Sequence, residues 1–204
     1  MLVIVNYGMG NLGSLRNMFR FIGLEAEVES SPDRIAQASK LILPGVGNFD
    51  AAMKAINKVY GLSDIIKAKA LEEKVPLLGI CLGMQLLLDS SEEGSLPGLG
   101  LISGKVLRFP HHESLKVPHM GWNFARPTKG NNQFQQNLCS DARYYFAHSY
   151  YAKVTNSEDS LMKTTHSVEF DSAVMHRNML GVQFHPEKSH RFGRELLKKF
   201  VDLC

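Results

Sequence analysis

The chain has 204 residues, 44% of them hydrophobic and 21% charged, with 23 Lys and Arg against 20 Asp and Glu for a net charge of +3. That is enough chain for one sizeable core and the composition of an ordinary globular, soluble protein. The basic residues are spread along the chain and give no case for a nucleic-acid footprint.

The first ninety residues alternate short apolar strands with amphipathic helices. "LVIVN" reads as a strand, followed by "LGSLRNMFRFIG" with Leu12, Leu15, Met18, Phe19 and Ile22 at helical spacing. "EAEVE" reads as a second strand, and Ser31 before Pro32 and Asp33 is a helix-start signal. "KLILPG" is a buried strand ended by Pro-Gly, helices follow between about 49 and 73, and "VPLLGI" is a further strand. Strands alternating with helices predict a parallel sheet covered by helices. The second half reads as strands, "GKVLRF", "RYYFAHSYYAKV", "SLMKTT", "SAVMHR" and "LGVQFH". A last helix, "HRFGRELLKKFVDL", has Leu196, Leu197, Phe200 and Val201 on one face. With no internal repeat or linker, the expectation is one α/β domain over residues 1–204: an open, mostly parallel sheet flanked by helices, with an added antiparallel portion.

Three cysteines (Cys81, Cys139 and Cys204) at wide spacing argue against a disulfide framework or structural zinc. His111, His112, Glu113 and His119 cluster in "PHHESLKVPH", which reads as an exposed loop; their spacing fits no zinc pattern, so no metal is expected. "MLVIVNYGMG" is a strand rather than a signal peptide, and no run approaches a membrane span, so the expected location is the cytoplasm, away from membranes.

"GMGNLG" at residues 8–13 follows a strand and opens a helix, and Glu29 lies where a ribose-binding acid would sit. On pattern this is a dinucleotide fingerprint, and a nicotinamide oxidoreductase would rest on it. Asn11 is equally a simple helix cap, so the motif alone leaves both readings open.

Three further segments carry chemistry. In "GICLGMQ", Gly79 and Gly83 flank Cys81 at minus two and plus two of a strand-to-helix turn, the pattern of a nucleophile elbow. A helix N-terminus favours a thiolate, and the N–H of Leu82 can serve an oxyanion. A core cysteine at such a turn, as in a non-catalytic binding subunit, would look similar. In "GVQFHPEKS", His185 and Glu187 stand two apart in a stretch read as extended, with both side chains on one face, and Pro186 stiffens the pair. A base oriented by a carboxylate is what a cysteine nucleophile needs. In "LPGVGNFD" a strand ends in tight backbone whose N–H groups can hold an oxyanion, or is an ordinary glycine turn.

Together, the cysteine elbow, H-P-E and P-G-V-G resemble the class I (triad) glutamine amidotransferases, whose fold is flavodoxin-like. "NYGMGNLGSL", "VPHMGWN", "YYFAHSYY" and "GVQFHPEKS" extend the resemblance, over essentially the whole chain, to the glutaminase subunits of imidazole glycerol phosphate synthases. The resemblance implies hydrolysis of glutamine by Cys81, His185 and Glu187, with Leu82 and the Val46–Gly47 peptide region at the oxyanion. It implies glutamine binding by Gln85, Glu93 and the backbone around Ser149 and Tyr150. It implies no cofactor, and a (β/α)₈-barrel cyclase subunit as partner, contacted near Asn11, Ser14, Trp122 and Tyr145. Under it the N-terminal glycine turn faces a protein, not a dinucleotide. "TTHSVEFDSAV" lacks the aromatic-plus-glycine turn of that family, which leaves room for a paralogous glutaminase serving another synthetase, such as one amidating a surface-polysaccharide sugar.

Overall fold

The four residues of β1 (Leu2–Val5) are all buried, as a central parallel strand requires. The computed structural model describes residues 1–111, 116–128, 133–136 and 138–204. Asn11 caps α1 (Leu12–Phe21), its side chain accepting the Ser14 N–H, and Leu15 and Phe19 point into the core. β2 (Ala26–Glu29), α2 (Pro32–Ala36), β3 (Lys40–Gly45), α3 (Phe49–Lys58) and α4 (Leu62–Leu71) follow as the periodicity predicts. β4 (Leu77–Cys81) runs straight into the five-residue α5 (Leu82–Leu86).

The remaining strands are β5 (Ser90–Ser91), β6 (Gly104–Arg108), β7 (His119–Phe124), β8 (Arg126–Pro127) and β9 (Arg143–His148). Then come β10 (Tyr150–Val154), β11 (Ser160–His166), β12 (Val168–His176) and β13 (Met179–Val182), and the chain closes with α6 (His190–Leu203).

The main sheet has the order β2-β1-β3-β4-β13-β12-β10-β6-β5, with β11 and β8 attached beside β12. From β2 to β13 every pairing is parallel; β13–β12, β12–β10 and β10–β6 are antiparallel. The mostly parallel sheet with an antiparallel extension is thus as expected. Its two faces bury separate apolar clusters: one holds Phe49, Ile56, Ile66 and Leu86, the other Phe19, Phe146, Phe184 and Phe200. β7 and β9 form a second, antiparallel sheet.

Two local features depart from the reading of the sequence. "RYYFAHSYYAKV", read as one segment, breaks at Ser149, so β9 pairs with β7 and β10 joins the main sheet. His119, placed by sequence in an exposed loop, is buried at the start of β7, because β7 pairs with β9 and carries the ring beneath Phe146. The hairpin between β11 and β12, where the sequence departs from its resemblance, turns at Ser167 with φ +56, a conformation that costs a serine more than a glycine.

Candidate active site

β4 lies between β3 and β13, with Gly45 paired to Cys81 and Ile80 to Val182. The carboxyl ends of these three parallel strands therefore bring P-G-V-G, the cysteine turn and H-P-E together, where open α/β sheets gather ligands.

Cys81 itself has φ +55 and ψ −113, a strained conformation for a residue with a Cβ, and is 6% exposed. The turn is possible because its flanks are glycines. A Cβ on Gly79 would come within 2.7 Å of the Gly83 carbonyl oxygen, and one on Gly83 within 1.8 Å of the Leu43 carbonyl oxygen. Gly45 is equally confined, since a Cβ there would stand 2.7 Å from the Tyr7 hydroxyl. That hydroxyl donates to the Pro44 carbonyl at 2.7 Å and ties the start of the P-G-V-G segment to β1's end.

His185 holds Glu187 through Nδ1···Oε1 at 2.8 Å, and both side chains are almost fully buried. The stretch between them is not extended. Pro186–Lys188 form a 3₁₀ turn, so the pair meets across a tight bend rather than along one strand face. The turn is held by Ser189, which donates to the His185 carbonyl at 2.6 Å and accepts the Tyr145 N–H at 3.0 Å, while the His185 N–H donates to the Tyr145 carbonyl. With Nδ1 engaged, Nε2 is left for the Cys81 thiol. Burial by itself would depress the imidazole, but hydrogen bonds to Cys81 and Glu187 and their negative charges outweigh it, raising His185 to about 10. The site therefore favours an imidazolium beside the sulfur.

Cys81 and His185 open into a cleft of about 310 Å³ that is also lined by Val46, Gly47, Leu82, Gln85, Glu93, Ser149 and Tyr150. Every residue assigned by resemblance to oxyanion or glutamine binding thus borders one cavity, of a size suited to a small ligand. Gln85 donates to the Tyr150 carbonyl and to Gln183 Oε1, both at 3.0 Å, and Gln183 reaches the Cys81 sulfur at 3.8 Å. Glu93 accepts the Phe49 N–H at 2.8 Å. Burial is the main influence on its carboxyl, pushing it above the usual range, with the Asp50 charge adding and the Phe49 and Asn48 hydrogen bonds opposing.

Asn11 and Ser14 sit at the start of α1, outside the cleft. Trp122 is 46% exposed and stacks on His190 at 5.2 Å, with Tyr145 edge-on beside it. This is not core packing for the tryptophan. The glycine turn before α1 has a packing reason: a Cβ on Gly10 would meet Pro44 at 3.3 Å, and Glu29 pairs with Arg34.

Sequence reasoning did not single out Tyr7, Gln183, Lys188, His148 or Ser189. All five lie within segments quoted above, Tyr7 in "NYGMGNLGSL", His148 in "YYFAHSYY" and Gln183, Lys188 and Ser189 in "GVQFHPEKS", but only the fold brings them to one site. His112 and Glu113 lie outside the described residues. Among the described residues no group of three His, Cys, Asp or Glu side chains is placed to hold a metal ion, and no helix is long and apolar enough to cross a membrane.

A cysteine at a strained elbow, a buried histidine–carboxylate pair and a neighbouring glycine-rich strand end meet at one cleft of an open α/β sheet, the arrangement that cysteine-nucleophile hydrolases use. The chain belongs to the class-I glutamine amidotransferase family, whose model matches residues 3–203. It is 49% identical over 201 residues to imidazole glycerol phosphate synthase subunit HisH 2 of Methanococcus maripaludis, covering 98% of each chain. It is 45% identical over 206 residues to subunit HisH of Bdellovibrio bacteriovorus, covering 100% of each. A solved glutamine amidotransferase shares the fold at TM-score 0.75 and 18% identity, over 98% of this chain and 100% of that one.

Proposed function

We propose that this chain, acting as one domain over residues 1–204, is the glutaminase subunit of an imidazole glycerol phosphate synthase in histidine biosynthesis, working in the cytoplasm. The observation that carries the reading is the buried His185–Glu187 pair beside the strained Cys81, inside a cleft of ligand size. The full-length identity to synthase subunits supplies the pathway.

In this reading, the Cys81 sulfur attacks the glutamine carboxamide carbon, and the oxyanion is met by N–H groups of Leu82 and of the Val46–Gly47 region. His185 takes the thiol proton and delivers it to the departing nitrogen, so the C–N bond breaks as ammonia leaves and a glutamyl thioester remains. A water deprotonated by His185 then cleaves the thioester, giving glutamate and restoring the thiol. Glu187 keeps the imidazole oriented and charged. Gln85, Glu93 and the Ser149–Tyr150 backbone hold the amino acid. Ammonia passes to a partner subunit, a (β/α)₈-barrel cyclase seated over the cleft near Asn11, Ser14, Trp122 and Tyr145.

The test is ammonia release from glutamine with and without the barrel subunit and its nucleotide ligand. Turnover that rises with the barrel is expected, and its abolition by Cys81→Ala in a chain that still folds. Undiminished activity in that variant would overturn the reading. Stimulation by a sugar-amidating synthetase instead of the barrel would place the chain with a different partner.

A further inference from the structure

Two histidines that the mechanism does not use stand behind the glutamine-binding edge of the cleft. His148 is 6% exposed at the end of β9 and borders the cavity; His119 is 4% exposed at the start of β7. Their ring nitrogens are in contact, His119 Nδ1 to His148 Nε2 at 2.9 Å.

The chemistry at each end fixes where the protons lie. His148 Nδ1 is 2.8 Å from the Tyr150 carbonyl, which only accepts, so Nδ1 carries the hydrogen. At the other end, Asn123 Nδ2 lies 3.1 Å from His119 Nε2. The orientation of that amide is set independently: its Oδ1 accepts the Phe124 N–H at 2.8 Å, and its Nδ2 also donates to the Thr165 carbonyl at 3.1 Å. His119 Nε2 is therefore the acceptor, His119 Nδ1 the donor, and His148 Nε2 the bare nitrogen that receives it. A single direction runs from Asn123 through both rings to Tyr150, with no clash of donor on donor.

Both rings are suited to stay neutral. Burial foremost brings His119 to about 4 and His148 to about 3; the Tyr150 carbonyl opposes this for His148, while neighbouring histidines reinforce it for both. His166 stacks on His119 at 4.2 Å and donates from Nε2 to the Lys116 carbonyl, sealing the outer side. A metal bridge does not fit, because all four nitrogens of His119 and His148 are already in hydrogen bonds.

The Tyr150 carbonyl takes its second hydrogen bond from Gln85 of the elbow helix. The edge formed by Ser149 and Tyr150 is thus held from two sides at the point where the chain passes from one sheet to the other. We propose that the His119–His148 relay positions this edge for glutamine, making both histidines positioning residues for the reaction. The proposal rests on the glutaminase reading above.

The relay predicts opposite outcomes for two isosteric changes. His119→Asn keeps an N–H near the Nδ1 position; His119→Gln moves the amide to the Nε2 end and takes the donor away. Without that donor His148 is free to adopt the other tautomer, which turns a lone pair toward the Tyr150 carbonyl. The chain's Cys81 is labelled with the glutamine-like electrophile diazo-oxo-norleucine and, separately, with iodoacetamide, which needs no amino-acid subsite. For His119→Gln, labelling by the glutamine analogue should slow about tenfold, the effect of one buried hydrogen bond. Its iodoacetamide rate should be unchanged, and His119→Asn should match wild type with both probes. Equal behaviour of the two variants, or parallel loss with both probes, would overturn the relay. In the unaltered protein, ring ¹⁵N spectra should report Nδ1–H tautomers for both histidines, and an Nε2–H tautomer on His148 would equally overturn it. Failure of the glutaminase reading is distinct: wild type itself would then not react with the analogue.

Discussion

Replacing Glu187 by Gln keeps the size of the side chain and removes its charge from beneath His185. The Nδ1···Oε1 bond is 2.8 Å long between side chains only 4% and 2% exposed, so solvent screens it little. A charge-assisted hydrogen bond is about twice as strong as a neutral one, so the loss should be about 1–2 kcal/mol. Glu187 Oε2 is buried without a partner among the described residues, and the glutamine amide placed there would find no acceptor. The cost should therefore not fall below that range. Since one pKa unit corresponds to about 1.4 kcal/mol, His185 should drop by about one unit from its value near 10. The assay is glutamine hydrolysis by the assembled synthase from pH 7 upward. Under the proposed mechanism, its alkaline limb reports loss of the proton that His185 hands to ammonia. In Glu187→Gln that limb should move about one unit toward neutral, and kcat should fall about tenfold. An alkaline limb that stays in place, with kcat intact, would refute the role assigned to the carboxylate.

The same pair makes stability depend on pH. His185 titrates near 10 when folded against about 6.5 unfolded, so its contribution is complete below about pH 6.5 and is lost as pH rises through 10. Urea unfolding should show that decline, and Glu187→Gln should flatten it. Gly83→Ala would drive a Cβ to 1.8 Å from the Leu43 carbonyl oxygen and must push β3 from the elbow. A loss of about 3 kcal/mol or more in unfolding free energy is expected, and a wild-type denaturation midpoint would contradict the packing described here. Tyr7→Phe removes the buried hydroxyl that holds the Pro44 carbonyl. It should cost about 1–2 kcal/mol of stability and lower kcat more than it raises KM, since it loosens the oxyanion segment rather than the glutamine subsite. An equal change in both kinetic constants would place Tyr7 elsewhere in the mechanism.

What the sequence determined by itself was local. Hydrophobic periodicity located the parallel strands and their helices, because a strand buried on both faces and a helix buried on one leave different spacings. Glycines at 79 and 83 marked the elbow, because no side chain fits those positions once the strand turns directly into a helix. The cap at Asn11 and the turn at Ser31 were legible for the same reason: they depend on neighbours in the chain.

Tertiary structure decided what depends on pairing between distant segments. "HPE" reads as extended in sequence, yet His185 and Glu187 meet across a 3₁₀ turn braced by Tyr145 and Ser189. His119 reads as part of an exposed loop, yet β7–β9 pairing buries it against His148. Cys81 could be a core thiol or a nucleophile by its own sequence. Its environment was settled only when the sheet order set β3 and β13 on either side of β4, placing a glycine-rich edge and a buried imidazole beside one sulfur. Strand order is a matter of which apolar surfaces cover one another across the whole chain, and no local run of residues encodes it.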